Sequence, residues 1–231
     1  MIEKLQWFNE DISYMFRKNI VEYDMQAASL AVAERFKLLP KDKLIQLRNM
    51  PKDRRTKEVG CMQRDDKDFS EKLLDGIVKT RQEFLDMNHI SEDDIICVHS
   101  DAIIFNMKSS IEDTVDCVRF VPKHAWSSYM RYRNIEIYYG NGCIDYKGIP
   151  KEMLQMHTLG INKYLLKVFD MIELCDEGVI DYVKKVETRY ITDRLPDFFY
   201  IPFGKVGKHK MENLQLFAFV ANAIIGDMYE W

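Results

Sequence analysis

Two short apolar runs, Ile95-Ile96-Cys97-Val98 and Ala102-Ile103-Ile104-Phe105, flank His99-Ser100-Asp101. Runs of this length rich in β-branched residues predict a buried β-hairpin with Asp101 at its turn. The same pattern lies upstream in Asn19-Ile20-Val21-Glu22-Tyr23-Asp24, a β-type run that ends in an aspartate where a helix begins. That helix is expected over Met25 to Leu38 and is stopped by Pro40. Leu5, Phe8, Ile12, Met15 and Phe16 have helix-like spacing and predict a short helix within residues 1–18. Phe69, Leu73, Leu74, Ile77, Val78, Arg81, Phe84 and Leu85 predict an amphipathic helix over 69–87, with Ser70 and Glu71 in its first turn. Val115 to Val121, Asn134 to Tyr139 and Cys143 to Lys147 alternate as strands, the last two joined by the hairpin turn Gly140-Asn141-Gly142.

Beyond Lys151 the period turns helical, through Met153, Met156, Leu159, Leu165, Val168, Phe169 and Ile172 and again from Leu214 to Ile225. An irregular stretch with Pro196, Pro202, Gly204 and Gly207 carries Lys205, Lys208, His209 and Lys210. The pattern predicts an α+β fold: one antiparallel sheet with Asp24 and Asp101 on neighbouring strands, helices on one face, and a helical C-terminal lobe. The expected division is an α+β domain over 1–150 and a helical lobe over 151–231.

Composition adds constraints. With 47% hydrophobic and 30% charged residues, 10 Gly and 6 Pro, the chain is that of an ordered globular protein. A formal net charge of -4 supplies no global attraction for a polyanion. The segment 41–64 reverses the sign, with eight Lys or Arg against three acidic residues, 8 - 3 = +5. A solvated surface helix and loop or an anion site both account for it. Five cysteines without a CxxC pair predict reduced, buried thiols. The N-terminal residues lack signal-peptide organisation, and no apolar run approaches the roughly 20 residues of a membrane span. A soluble cytoplasmic protein is expected.

An aspartate among residues that demand burial is costly unless it is paired, hydrogen-bonded or bound to a cation. Asp24 and Asp101 are therefore expected to meet. Two aspartates at adjacent strand ends suit magnesium or manganese, which take carboxylate oxygens together with substrate phosphates. Two such ions about 3.5–4 Å apart hold the attacking and leaving oxygens of a phosphoryl or nucleotidyl transfer. Lysines and arginines between the two aspartates, Arg54, Arg55, Lys57 and Arg64, are candidate ligands for a triphosphate. A turn aspartate capping an amide, a helix N-cap and surface charges are the plain structural alternatives. Tyr129, Tyr132, Tyr138 and Tyr139 fit base stacking and strand propensity equally.

Three segments taken in order, Val21-Glu22-Tyr23-Asp24-Met25-Gln26-Ala27-Ala28, Lys57-Glu58-Val59-Gly60-Cys61-Met62-Gln63-Arg64 and Val98-His99-Ser100-Asp101-Ala102-Ile103-Ile104-Phe105, carry a resemblance. The succession resembles motifs A, B and C of the palm domain of template-dependent nucleic-acid polymerases, closest to family B DNA polymerases in a minimal, phage-like form. Phe120-Val121-Pro122-Lys123-His124-Ala125-Trp126 resembles the lysine element that follows motif C, and Asp145-Tyr146-Lys147-Gly148-Ile149 the later Lys-Gly. The resemblance spans about residues 19–150. It implies Asp24 and Asp101 as catalytic, metal-binding carboxylates, and Lys123 near the primer terminus or triphosphate. It also puts Ser29 where the family sets a bulky residue against the sugar 2'-hydroxyl.

His99 stands where the family has its first motif C aspartate, the family's Asn-Ser-x-Tyr-Gly is absent, and nothing corresponds to an exonuclease domain. The implied partners are a primer-template and nucleoside triphosphates, with no membrane, in the cytoplasm, including that of a virus-infected host cell. The different class to set beside this is a catalytically silent nucleic-acid- or protein-binding module of the same fold. A two-ion phosphodiester hydrolase is a third.

Overall fold

A computed structural model of the chain describes residues 2, 4–149, 159–201 and 209–229, the side chains of 159, 209–212, 228 and 229 excepted. The chain divides into two compact units, Met1–Asn9 with Val21–Ala125, and Glu10–Ile20 with Trp126–Trp231.

The first unit is built on a six-stranded sheet. Its strands are β1 (Gln6–Phe8), β3 (Ile20–Met25), β4 (Ile95–His99), β5 (Ala102–Asn106), β6 (Thr114–Val115) and β7 (Val118–Trp126), in the order β1-β4-β5-β3-β7-β6. β4 and β5 form the expected antiparallel hairpin, with His99 opposite Ala102 across the Ser100-Asp101 turn. Ser100 adopts φ 58, a left-handed conformation that tight hairpin turns require. The helices of this unit are α1 (Ala28–Arg35), α2 (Lys41–Arg48), α3 (Lys52–Asp65) and α4 (Lys67–Met87). Pro40 and Pro51 stand immediately before α2 and α3, where a missing N–H is harmless. Asp66 caps α4 by accepting from the Phe69 amide at 3.0 Å. Val32, Leu73, Ile77, Phe84, Val98, Ile103, Phe105 and Phe120 share the core that joins these helices to the sheet. α1 and α4 cross closely at Gly76, where a Cβ would lie 2.6 Å from Val32 Cγ1.

The second unit has its own four-stranded sheet, order β10-β9-β8-β2, from β2 (Tyr14–Met15), β8 (Ser128–Tyr132), β9 (Ile135–Gly140) and β10 (Cys143–Lys147). All three pairings are antiparallel. The helices α5 (Leu159–Glu173), α6 (Val179–Ile191) and α7 (His209–Tyr229) complete it. Met130, Ile137 and Tyr139 pack in one core with Tyr164, Phe169, Val183 and Phe217.

The α+β class with antiparallel sheets and a C-terminal helix is as expected, but four local readings are corrected. Residues 1–18 hold no helix among the described residues; β1 and β2 are short strands that pair with β4 and β8. The later strands form a second sheet instead of extending the first, so the units divide at Ala125/Trp126 and not at residue 150. The reason is packing: the apolar side of β8 and β9 is covered by the C-terminal helices. None of the five cysteines is in a disulfide, but only Cys97 is buried. Tyr129, Tyr132, Tyr138 and Tyr139 are buried at 0–7% exposure, which removes them as base-stacking groups. Met153, Met156, Pro202, Gly204, Lys205, Gly207 and Lys208 lie outside the described residues, as do the side chains of His209 and Lys210.

Candidate functional site

Asp24 lies on β3, Asp101 in the β4–β5 turn and Lys123 on β7, and in the sheet β3 sits between β5 and β7. Main-chain bonds tie the end of β3 to both neighbours: Met25 N–H donates to Asp101 C=O at 3.2 Å and Gln26 N–H to Arg119 C=O at 2.8 Å. Sheet pairing therefore presents carboxylate, carboxylate and ammonium in sequence. Lys123 Nζ lies 3.4 Å from Asp24 Oδ2.

The Asp101 carboxyl is raised above the ordinary aspartate range, first by burial, then by the negative charge of Asp24 and a hydrogen bond with it. The Asp101 main chain and the Lys123 charge act in the other direction. Like charges at hydrogen-bonding range cannot both ionise without cost, and a cation between them relieves it.

Both aspartates and Lys123 line a cleft of about 590 Å³. Residues 24–30, which run from β3 into α1, form part of its wall. There Ala27 adopts φ 52, a left-handed conformation costly for a residue with a Cβ. Another part is one face of α3, made by Lys52, Arg55, Thr56, Val59 and Gln63. These positions recur at three- and four-residue intervals, the repeat of a single helical face. Val59 is the one buried residue of α3, so the helix has a polar side free to line the cleft.

Of the residues expected from sequence, Asp24, Asp101, Ser29, Arg55 and Lys123 meet at this cleft. Arg54, Lys57 and Arg64 do not line it, because they occupy other faces of α3; Arg64 Nε instead donates to Asp65 at 2.9 Å. Lys52, Thr56 and Gln63 were missed. The signal that finds them is helical phase counted from Pro51, which a tally of charge over 41–64 ignores. His99 packs edge-on against Phe8 at 5.3 Å, with Nε2 3.3 Å from Cys97 Sγ. Lys147 and Gly148 have structural roles in the second unit. Lys147 Nζ lies over Tyr138 at 5.5 Å and Trp126 at 5.8 Å. Gly148 has φ 84, and a Cβ there would meet Asn134 O at 2.1 Å.

Fold and site define an α+β protein with a paired-aspartate cleft flanked by cationic side chains. Over residues 1–231 the chain matches the bacteriophage PBS1 gene 130 protein family and belongs to it. No curated protein matches the chain. Among the described residues, no helix is long and apolar enough to cross a membrane.

Proposed function

We propose that this phage protein is a compact, polymerase-like nucleotidyltransferase, joining a nucleoside triphosphate to a primer paired with a template. One observation carries the reading: Asp24, near the end of β3, and Asp101, in the β4–β5 turn beside it, adjoin in a cleft also lined by Lys52, Arg55 and Lys123. The donor set fits magnesium or manganese, because two mutually repelling carboxylates are hard oxygen ligands with charge to be neutralised. Asp24 and Asp101 would hold these ions, which when bound supply charge neutralisation at the attacking and leaving oxygens.

The chain's own residues position and screen. Lys52, Arg55 and Lys123 bind triphosphate oxygens by charge-assisted hydrogen bonds. Thr56 and Gln63 offer neutral donors and acceptors to the incoming nucleotide. Ser29 is small and leaves the sugar 2'-position uncrowded, so both ribo- and deoxyribonucleotides are admitted. The primer 3'-hydroxyl gives its proton to solvent as its oxygen bonds to the α-phosphorus, and the bond from that phosphorus to the α–β bridging oxygen breaks to release pyrophosphate. The place of action is the cytoplasm of the infected host cell.

Primer extension with magnesium or manganese, offering dNTPs and rNTPs in parallel, tests this. Asp24→Asn and Asp101→Asn are each expected to lower the rate about 1000-fold, since a bound ion supplies several kcal/mol of transition-state stabilisation. Unchanged extension by Asp101→Asn removes the assigned role.

A specific observation favours a second reading. The Lys123 ammonium already stands 3.4 Å from Asp24 and gives it a cation without any metal. A catalytically silent nucleic-acid- or protein-binding module of the same fold satisfies that geometry. Binding of primer-template with no incorporation of any nucleotide selects it.

A further inference from the structure

Behind the turn that bears Asp101 lies a fully buried cation. Arg81, on α4, has 0% exposure and is the largest of the fully buried side chains. Nη1 donates to Ser100 C=O at 2.8 Å, and Nη2 donates to Ile2 C=O at 2.9 Å and Lys4 C=O at 2.7 Å. Among the described residues no carboxylate pairs with it. Burial lowers its pKa only to about 10, so it is charged at neutral pH. A buried charge without a counter-ion is expensive and tolerated only where its hydrogen bonds are well made. Here every acceptor is a main-chain carbonyl, and one belongs to the residue preceding Asp101.

The same turn is fixed from its other sides. Ser100 N–H donates to Leu5 C=O at 2.6 Å, and Met25 N–H to Asp101 C=O at 3.2 Å. Ser100 is held at φ 58, away from the preferred backbone regions.

We infer that Arg81 is a positioning residue of the Asp24–Asp101 site: its planar fork clamps the Ser100-Asp101 turn to α4 and to the main chain of Ile2 and Lys4, keeping Asp101 against the Asp24 strand. The inference deepens the two-ion reading and rests on it for the site's purpose, while the clamp itself is a property of the metal-free protein. Lysine cannot replace the fork, because a compact ammonium does not span carbonyls arranged for a planar guanidinium.

Native-state amide exchange by NMR tests it on the full chain without metal or nucleotide. In Arg81→Lys the Ser100 and Met25 amides, which report the turn, are expected to exchange at least about tenfold faster, the loss of one charged hydrogen bond. Core amides of β4 and β7 keep their rates. Thr80→Val is the control for general loosening. Thr80 is also buried on α4; its hydroxyl donates to Gly76 C=O at 2.8 Å and accepts from Arg35 Nη1 at 2.9 Å, and neither bond reaches the turn. Unchanged Ser100 and Met25 amides in Arg81→Lys, or acceleration spread over the core as in the control, overturns the inference.

A second arm reads affinity for Mn2+ alone by electron paramagnetic resonance. A fall of about 10–100-fold in Arg81→Lys is expected from the loss of a residue that orients a ligand; wild-type affinity with a loosened turn also overturns the proposal. If wild type itself binds no Mn2+, the two-ion reading fails and the exchange result alone decides Arg81. If Arg81→Lys does not fold, the wild-type guanidinium protons decide: slow exchange and hindered rotation support the clamp, and free rotation overturns it.

Discussion

Asp101 is the residue at which folding and function pull apart. Its carboxyl is raised in the folded protein by burial and by Asp24. The stability this group contributes is therefore fully present below the ordinary aspartate value of 3.8 and is lost as pH rises through the raised folded value. Above that raised value the ionised side chain is a liability to the fold. Asp101→Asn is expected to have a higher Tm than wild type at pH 7, with the advantage disappearing once the pH falls below the aspartate range; parallel thermal melts at the two pH values check this. An equal Tm at pH 7 would show that burial and Asp24 together impose no cost on the carboxylate there. The Lys123–Asp24 pair offsets little of the cost, because its side chains are 47% and 28% exposed and solvent screens them. Carrying the strain of Ala27 and Ser100 as well, the site's stability comes from elements elsewhere in the unit.

At the scale of elements, α3 presents different chemistry on different faces. Lys52 and Arg55 line the cleft, whereas Arg54 and Lys57 are exposed on other faces. In the extension assay, Lys52→Ala or Arg55→Ala should raise the nucleotide KM about tenfold, the loss of a charge-assisted hydrogen bond. Arg54→Ala with Lys57→Ala should leave KM near wild type. Equal effects of the two sets would mean that the segment acts as a diffuse charge and not as an oriented helix.

Packing of α1 on α4 matters to the same site, since α1 begins at the cleft wall. Gly76→Ala would place a methyl 2.6 Å from Val32 Cγ1 and 3.0 Å from a Phe36 ring atom. Overpacking of this kind costs about 1–3 kcal/mol, against a helix-propensity gain of at most about 1 kcal/mol. A net loss of up to about 2 kcal/mol in denaturant unfolding is expected, and a gain would mean that the two helices part freely.

The whole molecule is divided where sequence did not place the division. A fragment ending at residue 150 carries β8, β9 and β10 but not α5, α6 and α7, and strips cover from Met130, Ile137 and Tyr139. Expressed alone it is expected to bind a hydrophobic dye and aggregate, since an uncovered sheet face is an association surface. A soluble monomeric fragment with cooperative unfolding would contradict the assigned core.

The hairpin at 95–105 and the strand ending at Asp24 were legible because a short run of β-branched residues signals burial without reference to the rest of the chain. The spacing of Leu5, Phe8 and Ile12 misled for the converse reason. Isolated apolar positions fit a helix or two short strands, and pairing of Trp7 with Val98 and of Tyr14 with Met130 decides between them. Gly148's closeness to Asn134 O and Lys147's contacts with the Trp126 and Tyr138 rings are structural roles that only the folded chain shows.

By itself the sequence determined the α+β class, the two aspartates as costly groups needing partners, and a basic segment between them. All three follow from local hydropathy and charge. Only the tertiary structure decided that β3 lies between β5 and β7, which face of α3 meets the cleft, that Arg81 stands behind the turn, and that a second sheet closes on the C-terminal helices. These depend on which distant segments pair and pack, and that choice is made by the cores as wholes rather than by any stretch of chain alone.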